Sequence, residues 1–147
     1  MAVRTSREIV IEAPPDAIMD ALADVGSLPS YHPAYRSAEV LDTYDDGRPH
    51  HVRIVVKVLG RLDDEILEYR WGPDWLVWDA EQTSRQYAQH VEYRLRPDYT
   101  GASTVVRVDI TVEPDSFYPD FLIKRAGKAV IDAATEGLRR RVLGLTD

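Results

Sequence analysis

Six consecutive strand-like segments followed by one long helical segment constrain the fold of this chain more than any other feature. The strand-like segments cover residues 36–44, 51–59, 62–71, 75–81, 86–96 and 103–113, with short turns between them. Strands joined by such tight turns pair as an antiparallel meander. Beyond Pro119 the apolar residues recur at helical spacing as far as Val142, which predicts a helix of about 24 residues, or about 36 Å.

The segment before the meander adds one strand and two short helices. Apolar and polar residues alternate over residues 5–13, and two prolines then end this strand and open a helix that runs to Val25. A one-turn helix at residues 27–31 follows. We therefore predict a single α+β domain over residues 1–147, in which a curved, seven-stranded antiparallel sheet wraps round the long C-terminal helix.

Composition and charge exclude several classes of function. The chain has 18 basic and 25 acidic residues, a net charge of −7, which argues against a general binder of nucleic acid. It has no cysteine, which excludes disulfides, cysteine–zinc sites and a thiol nucleophile. No apolar stretch approaches the length of about 20 residues that spans a membrane, and the N-terminus lacks a secretory signal. We expect a cytoplasmic protein without an integral membrane segment.

Alternation along the strands assigns most side chains to the inner or the outer face of the sheet. Valines and isoleucines fill the inner face of segments 51–59 and 103–113, with charged residues on the outer face. Segment 75–81 is ambiguous, because either Trp78 or Asp79 can point inward. The inner face also carries polar atoms, and these belong to Tyr69, Tyr87, Gln89 and Tyr93.

The long helix presents small residues, including Ala126, Ala129, Ala133 and Gly137, to this inner face. Two alternatives follow. Small residues let helix and sheet approach closely and form a solid core, or they leave a cavity between them. Apolar walls with a few orienting polar groups are typical of a ligand pocket, and the inward tyrosines and Gln89 favour that alternative.

Several segments of the chain are similar to a known family. They are residues 9–18, 22–24, 28–33, 77–78, 93–95, 104–106, 119–125 and 137–141. The chain resembles the START-like helix-grip superfamily (SRPBCC), which includes polyketide cyclase/dehydrase, lipid-transport and coenzyme-Q-binding proteins. The resemblance covers nearly the whole chain and implies a helix-grip fold. It is specific for the fold and weak for function, because the motifs are mainly structural.

We predict that the ligand contacts the inward side chains of the sheet and the inner stripe of the helix. The predicted ligand-binding residues are Tyr69, Trp71, Trp78, Tyr87, Gln89, Tyr93, Val106, Val108, Leu122, Ala126, Ala129 and Ala133. The leading hypothesis is binding or transport of a hydrophobic small molecule such as a lipid, an isoprenoid or a polyketide-like compound. The ligand's identity and the oligomeric state stay open.

An enzyme of the aromatase/cyclase or dehydratase type is the first alternative, and His32 and Asp79 are its candidate catalytic residues. We interpret Asp63, Asp64 and Glu65 as a solvated acidic edge after a turn. His50 and His51 are adjacent on a strand, and we expect their side chains to point to opposite faces and form no metal site. No metal-binding, phosphate-binding or cofactor-binding motif is present, and we expect neither a metal nor a cofactor.

A protein-interaction module is the second alternative, and it requires an exposed apolar patch on the outer face of the sheet. The basic run at residues 139–141 suits the C-terminal end of a helix dipole. Transient contact with an anionic membrane surface is the other interpretation of this run.

Overall fold

The seven strands pair into one antiparallel sheet, in a computed structural model that describes residues 3–83, 88–113 and 118–145. The strands are β1 (Val3–Ile11), β2 (Tyr35–Thr43), β3 (Pro49–Val58), β4 (Arg61–Trp71), β5 (Trp75–Thr83), β6 (Ala88–Pro97) and β7 (Thr104–Glu113). Between β1 and β2 lie α1 (Pro15–Ala23), a 3₁₀ turn (Val25–Ser27) and α2 (Leu28–Tyr31). The C-terminal helix comprises α3 (Asp120–Asp132), a π-helical turn (Ala133–Gly137) and α4 (Leu138–Leu143).

The strand order is β1-β7-β6-β5-β4-β3-β2, so β2 to β7 form the predicted meander. β1 closes the other edge by pairing with β7, from Val3 opposite Val112 to Ile11 opposite Thr104. This pairing joins the first strand to the last, and it places β1 beside the start of the C-terminal helix. The predicted fold class is confirmed, including the two short helical segments after the first strand.

The inner face of the sheet carries the core and packs against the helices. Ile54, Leu67 and Val106 on three different strands are fully buried. In β5 the ambiguity is resolved, because Leu76 and Trp78 are buried on the inner face. The predicted alternation is therefore confirmed for these strands, as expected where one face of a sheet is covered.

A π-helical turn interrupts the C-terminal helix where it crosses the sheet. At this turn the Tyr93 hydroxyl on β6 donates a hydrogen bond to the carbonyl oxygen of Ala134, at 3.1 Å. Arg7 on β1 forms an ion pair with Asp132, just before the turn. Such turns widen a helix locally and are frequent at functional sites. Here, the turn is joined to the sheet by a side chain from β6 and another from β1.

Candidate functional site

A cavity lies between the inner face of the sheet, α2 and the C-terminal helix. The volume that the centre of a water molecule can occupy inside this cavity is about 90 Å³. On the same measure, roughly 10–15 Å³ is enough for one water. The sheet and its adjoining loops contribute Val3, Thr5, Ala34, Tyr35, Val56, Leu59, Trp78, Gln89, Val91, Tyr93, Ile110 and Val112. The helices contribute Leu28, Ile123, Ala126, Gly127, Val130 and Ala134, and His32 follows directly after α2.

Small residues on the C-terminal helix make room for this cavity. Ala126, Gly127 and Ala134 all line it, and at Gly127 a β-carbon would lie 3.1 Å from the Thr5 hydroxyl. A larger side chain at these positions would project into the open space or against β1. Small residues on this helix are compatible with a solid core or with a cavity, and the structure shows a cavity.

The main polar group in the cavity wall is the Gln89 carboxamide, which is held by two neighbouring strands. The Trp78 indole N–H on β5 donates a hydrogen bond to Gln89 Oε1 at 2.8 Å. Gln89 Nε2 in turn donates to Glu65 Oε1 on β4 at 3.0 Å. Because an amide has two donor hydrogens and two acceptor lone pairs, Gln89 retains one of each without a partner among the residues that the structure describes.

Behind Gln89 lies a pair of buried carboxyl groups, Asp63 and Glu65. Their residues are 0% and 1% exposed, so the expectation of a solvated acidic edge is wrong for both. Burial, then a hydrogen bond with Asp63 and the charge of Asp63, together raise the pKa of Glu65 to about 9. At neutral pH the Glu65 carboxyl is therefore protonated. The signal was present in the sequence, because both residues share the alternation parity of Leu67 and Tyr69.

His32 is the second polar group of the wall, at the C-terminal end of α2. Its side chain packs on the Tyr35 ring, with 4.6 Å between ring centroids, and the residue is 6% exposed. Its Nδ1 atom is buried and has no hydrogen-bond partner within residues 3–83, 88–113 and 118–145. Burial lowers the pKa of His32 to about 4, so the imidazole is neutral at neutral pH. Asp79, the other candidate catalytic residue, lies on the outer face, where it contacts Arg70 at 2.6 Å and His90 at 2.5 Å.

Aromatic rings of the core pack beside Gln89. Tyr69 and Trp78 stack with centroids 4.8 Å apart and planes inclined by 9°, and Trp78 lies 5.8 Å from Tyr93. Both tyrosines are deeply buried, which raises their pKa values well above the ordinary value of 10. The hydroxyl of Tyr93 is already used by the C-terminal helix. Both phenols therefore stay protonated. They contribute packing, and Tyr93 also holds the C-terminal helix in position.

The predicted ligand-binding residues divide into three groups. Those in the cavity wall are Trp78, Gln89, Tyr93 and Ala126. Seven lie outside the wall. Tyr69, Val106 and Val108 are in the buried core, and Leu122 is half-buried. The indole N–H of Trp71 donates to the carbonyl oxygen of Pro49, and Ala129 and Ala133 lie beside a separate surface depression. Tyr87 lies outside the described residues. Tyr35 and Val56 also line the cavity and are absent from the predicted set, because sequence spacing does not show which inward residues lie at a cavity.

One further expectation about histidines is wrong. The rings of His50 and His51 do not diverge, because their centroids are 4.0 Å apart. The β2–β3 pairing is irregular on both sides of Asp42, and such irregularities re-aim side chains at a sheet edge. The His51 ring turns towards Asp42, while the His50 ring stacks on Tyr44 at 4.2 Å.

No helix within residues 3–83, 88–113 and 118–145 is long and apolar enough to cross a membrane.

Similar folds occur in solved structures. A START superfamily protein from Mycobacterium smegmatis is 22% identical, with a TM-score of 0.82 over 97% of this chain and 99% of that one. The Zhui aromatase/cyclase from a Streptomyces species is 14% identical, with a TM-score of 0.78 over 97% and 94%. At these identities the likeness establishes the fold.

A third structure, from Deinococcus radiodurans, is 20% identical and has a TM-score of 0.67 over 99% of this chain and all of that one. A comparison with curated protein sequences gives no match. The sequence profile of one family, described as polyketide cyclase/dehydrase and lipid transport, matches residues 2–143. That match covers the whole sheet and the C-terminal helix, and the chain therefore belongs to the polyketide cyclase/dehydrase and lipid transport family.

Proposed function

We propose that this protein binds a hydrophobic small molecule in the cavity between the sheet and the C-terminal helix, and carries or presents it. The observation that supports this most directly is an apolar-walled space inside a domain of only 147 residues. Protein interiors normally pack to the density of organic crystals, and an unfilled space is exceptional. A ligand that fills it would bury apolar surface at about 25 cal/mol per Å².

The polar atoms of the wall limit the ligand's chemistry. Gln89 keeps one donor and one acceptor without a partner in the described part of the chain, and its position is held by Trp78 and Glu65. Neutral His32 offers an acceptor or a donor at Nδ1, depending on its tautomer. An anionic headgroup would find no cation in the described wall. We therefore expect an uncharged or weakly polar ligand with an apolar body and a carbonyl or hydroxyl group, such as a lipid, an isoprenoid or a polyketide-like compound.

Native mass spectrometry of the protein purified from its own host tests this proposal. We expect a population whose mass exceeds that of the chain by one small molecule, and whose extra mass is lost on extraction with organic solvent. Thermal shift against a panel of lipids, quinones and aromatic polyketides then ranks candidate classes, because a ligand that binds only the folded state raises Tm. The proposal is contradicted if no molecule copurifies with the protein and no apolar compound in the panel raises its Tm.

A specific observation favours the enzyme alternative as a second candidate. His32 reaches the cavity as a neutral imidazole with an unpartnered Nδ1, which is the form that accepts a proton from a substrate. One similar structure is an aromatase/cyclase. Replacing His32 with Asn separates the two functions once a ligand is known. Unchanged binding with lost turnover supports an enzyme, and turnover that survives the substitution rules out this role for His32.

The outer face of the sheet counts against a protein-interaction module. Along the described strands this face carries ion pairs, among them Arg53–Asp64, Arg70–Asp79 and Arg107–Asp109. The large exposed apolar residues on the described strands are Val10 on β1, Val40 and Leu41 on β2, and Leu62 on β4, and these three strands do not pair with one another. Single exposed apolar residues are normal on protein surfaces and do not form a docking patch.

A further inference from the structure

Two histidines and three carboxylates converge on strands β2 to β5 of the sheet, and none of them lines the cavity. Asp42 lies near the end of β2, His50 and His51 near the start of β3, Glu68 on β4 and Glu81 on β5. Register places His51 opposite Asp42 on one side and opposite Glu68 on the other. The cluster is therefore assembled by strand pairing across four neighbouring strands.

One ligand atom each from Asp42, His50 and His51 lies within 4.8 Å of the other two. Asp42 Oδ1 is 3.0 Å from His51 Nδ1 and 3.7 Å from His50 Nδ1. The same oxygen accepts the backbone N–H of His51 at 2.9 Å, which holds the carboxylate in place. The Nδ1 atoms of both rings thus face one anchored carboxylate oxygen.

The opposite nitrogen of each imidazole is occupied by a separate carboxylate. His50 Nε2 is 3.2 Å from Glu68 Oε2, and His51 Nε2 is 3.4 Å from Glu81 Oε2. A histidine that binds a metal through one nitrogen usually donates the N–H of the other to a carboxylate, which fixes the ring and makes it a stronger ligand. Both histidines of this cluster have that arrangement before any metal is present.

The distances suit a small divalent ion. Zinc binds imidazole nitrogen and carboxylate oxygen at about 2.0–2.2 Å in tetrahedral geometry, so its ligand atoms lie about 3.3–3.5 Å from one another. The two distances from Asp42 Oδ1 to the histidines, 3.0 and 3.7 Å, lie on either side of that value. The ligand atoms of the two histidines lie within 4.8 Å of each other, so the side chains would draw together around the ion. Asp42 is exposed, which leaves the fourth position open to water.

We propose that Asp42, His50 and His51 form a binding site for one divalent transition-metal ion of the zinc class, with Glu68 and Glu81 orienting the two imidazoles. Imidazole ligands select Zn²⁺, Ni²⁺ and Cu²⁺ over Mg²⁺ and Ca²⁺, which prefer all-oxygen sites. The ion would join β2 to β3 near one edge of the sheet. The site is separate from the cavity, and it does not depend on the function proposed for the cavity.

The competing explanation is a metal-free network of hydrogen bonds and ion pairs among the same five side chains. His90 provides a matched comparison elsewhere on the sheet, because its two nitrogens contact Asp79 at 2.5 Å and Glu92 at 3.1 Å. That cluster has two carboxylates but only one imidazole. Only the pair of imidazoles distinguishes the proposed metal site from this ordinary surface network.

Isothermal titration calorimetry of the tag-free, chelator-treated chain with ZnCl₂ tests the proposal. We expect one ion per chain, and an affinity that falls at least tenfold in each of His50→Gln, His51→Gln and Asp42→Asn. Glu81→Gln should lower the affinity by about 10-fold or more, the range found when such orienting carboxylates are removed. His90→Gln should leave it unchanged.

Co²⁺ provides a second readout, because its visible absorption reports the coordination geometry of the bound ion. The intense visible absorption of tetrahedral Co²⁺ should appear with the original chain and with His90→Gln, and should be lost in His50→Gln. Circular dichroism verifies that each variant is folded, so that lost binding is not lost structure. Absence of zinc uptake, or uptake that both His50→Gln and His51→Gln retain at full affinity, would overturn the proposal.

Discussion

Gln89 Nε2 lies 3.0 Å from Glu65 Oε1, so an amide in the cavity wall is held by a carboxyl group that is itself 1% exposed. The link joins β6 to β4 across β5, whose Trp78 supplies the other hydrogen bond to Gln89. Buried polar groups are costly unless each is satisfied, and these three satisfy one another. The sheet therefore presents one fixed amide to an otherwise apolar space.

The buried carboxyl makes stability depend on pH, and Glu65→Gln tests this. The pKa of Glu65 is about 9 when folded, against an ordinary value of 4.5, so the folded state holds a proton that the unfolded state loses. The contribution of Glu65 is fully present below pH 4.5 and is lost as pH rises towards 9. Between pH 4.5 and pH 9 the free energy of unfolding of Glu65→Gln should rise, relative to that of the original chain, by about 1.4 kcal/mol per pH unit.

Urea unfolding of both chains at several pH values checks this. The gain of Glu65→Gln should be smallest near pH 4.5 and largest near pH 9. A constant difference across this range would mean that Glu65 is ionised in the folded protein.

His32 should produce the opposite dependence at acidic pH. Its pKa is about 4 when folded, against an ordinary 6.5, because burial disfavours the charged ring. The unfolded state therefore binds the proton first, and stability is full above pH 6.5 and falls as pH drops towards 4, by about 1.4 kcal/mol per unit. His32→Phe keeps a ring against Tyr35 and should remove this fall, as measured by urea unfolding between pH 4 and 7.

His90 is the contrasting control for that experiment. Burial lowers the pKa of His90, but its hydrogen bonds to Asp79 and Glu92 raise it more, so the net direction is upward. The contribution of His90 to folding stability is therefore present at low pH and lost as pH rises. If His32→Phe retains the full acid-side fall in stability, the titration of His32 is not its cause.

Filling the cavity should block the ligand without harming the fold. Ala126 lines the cavity, whereas Ala129, one turn of the helix further on, is exposed and lies outside the wall. Ala126→Leu should lower the affinity for an apolar ligand at least tenfold, or about 1.4 kcal/mol. Its unliganded stability should be unchanged or higher by roughly 0.5–2 kcal/mol, as is common for cavity-filling changes.

Ala129→Leu is the matched control for that substitution, with the same change in volume on the same helix. Fluorescence titration with a ligand found by mass spectrometry measures both variants. Equal loss of affinity in the two variants would place the ligand elsewhere than the cavity.

Gly137 should be the least replaceable glycine of the C-terminal helix. A β-carbon at this position would lie 2.6 Å from the carbonyl oxygen of Tyr31, which is backbone and has little freedom to move. Gly137→Ala should therefore destabilise the protein by roughly 1–3 kcal/mol, the usual cost of overpacking. At Gly26 a β-carbon would have nothing within 4 Å, so Gly26→Ala should change stability by no more than about 0.5 kcal/mol.

Thermal and urea unfolding of the two glycine variants provide the measurement. The comparison isolates the contact between the π-helical turn and α2, because both changes add a single methyl group. A Gly137→Ala chain as stable as the original would show that the helix can move away from Tyr31.

Local pattern was enough to predict the elements and most of the inner face. Val52, Ile54 and Tyr93 are buried as expected, because strand alternation has a period of two and needs no knowledge of distant residues. Asp63 and Glu65 obey the same period, and they were misjudged because charged residues are rarely buried. Their pairing with each other and with Gln89 became visible only when three strands were brought together.

By itself, the sequence determined the order of the strands and helices, the meander and the faces of its strands, since each of these follows from spacing along the chain. The tertiary structure alone decided which residues line the cavity. Gln89 and Ala126 reach it, while Val108 and Ala129 do not, because the gap is the volume left between a twisted sheet and an interrupted helix. It also decided that His50 and His51 meet at Asp42, since an irregular strand pairing turned their rings together.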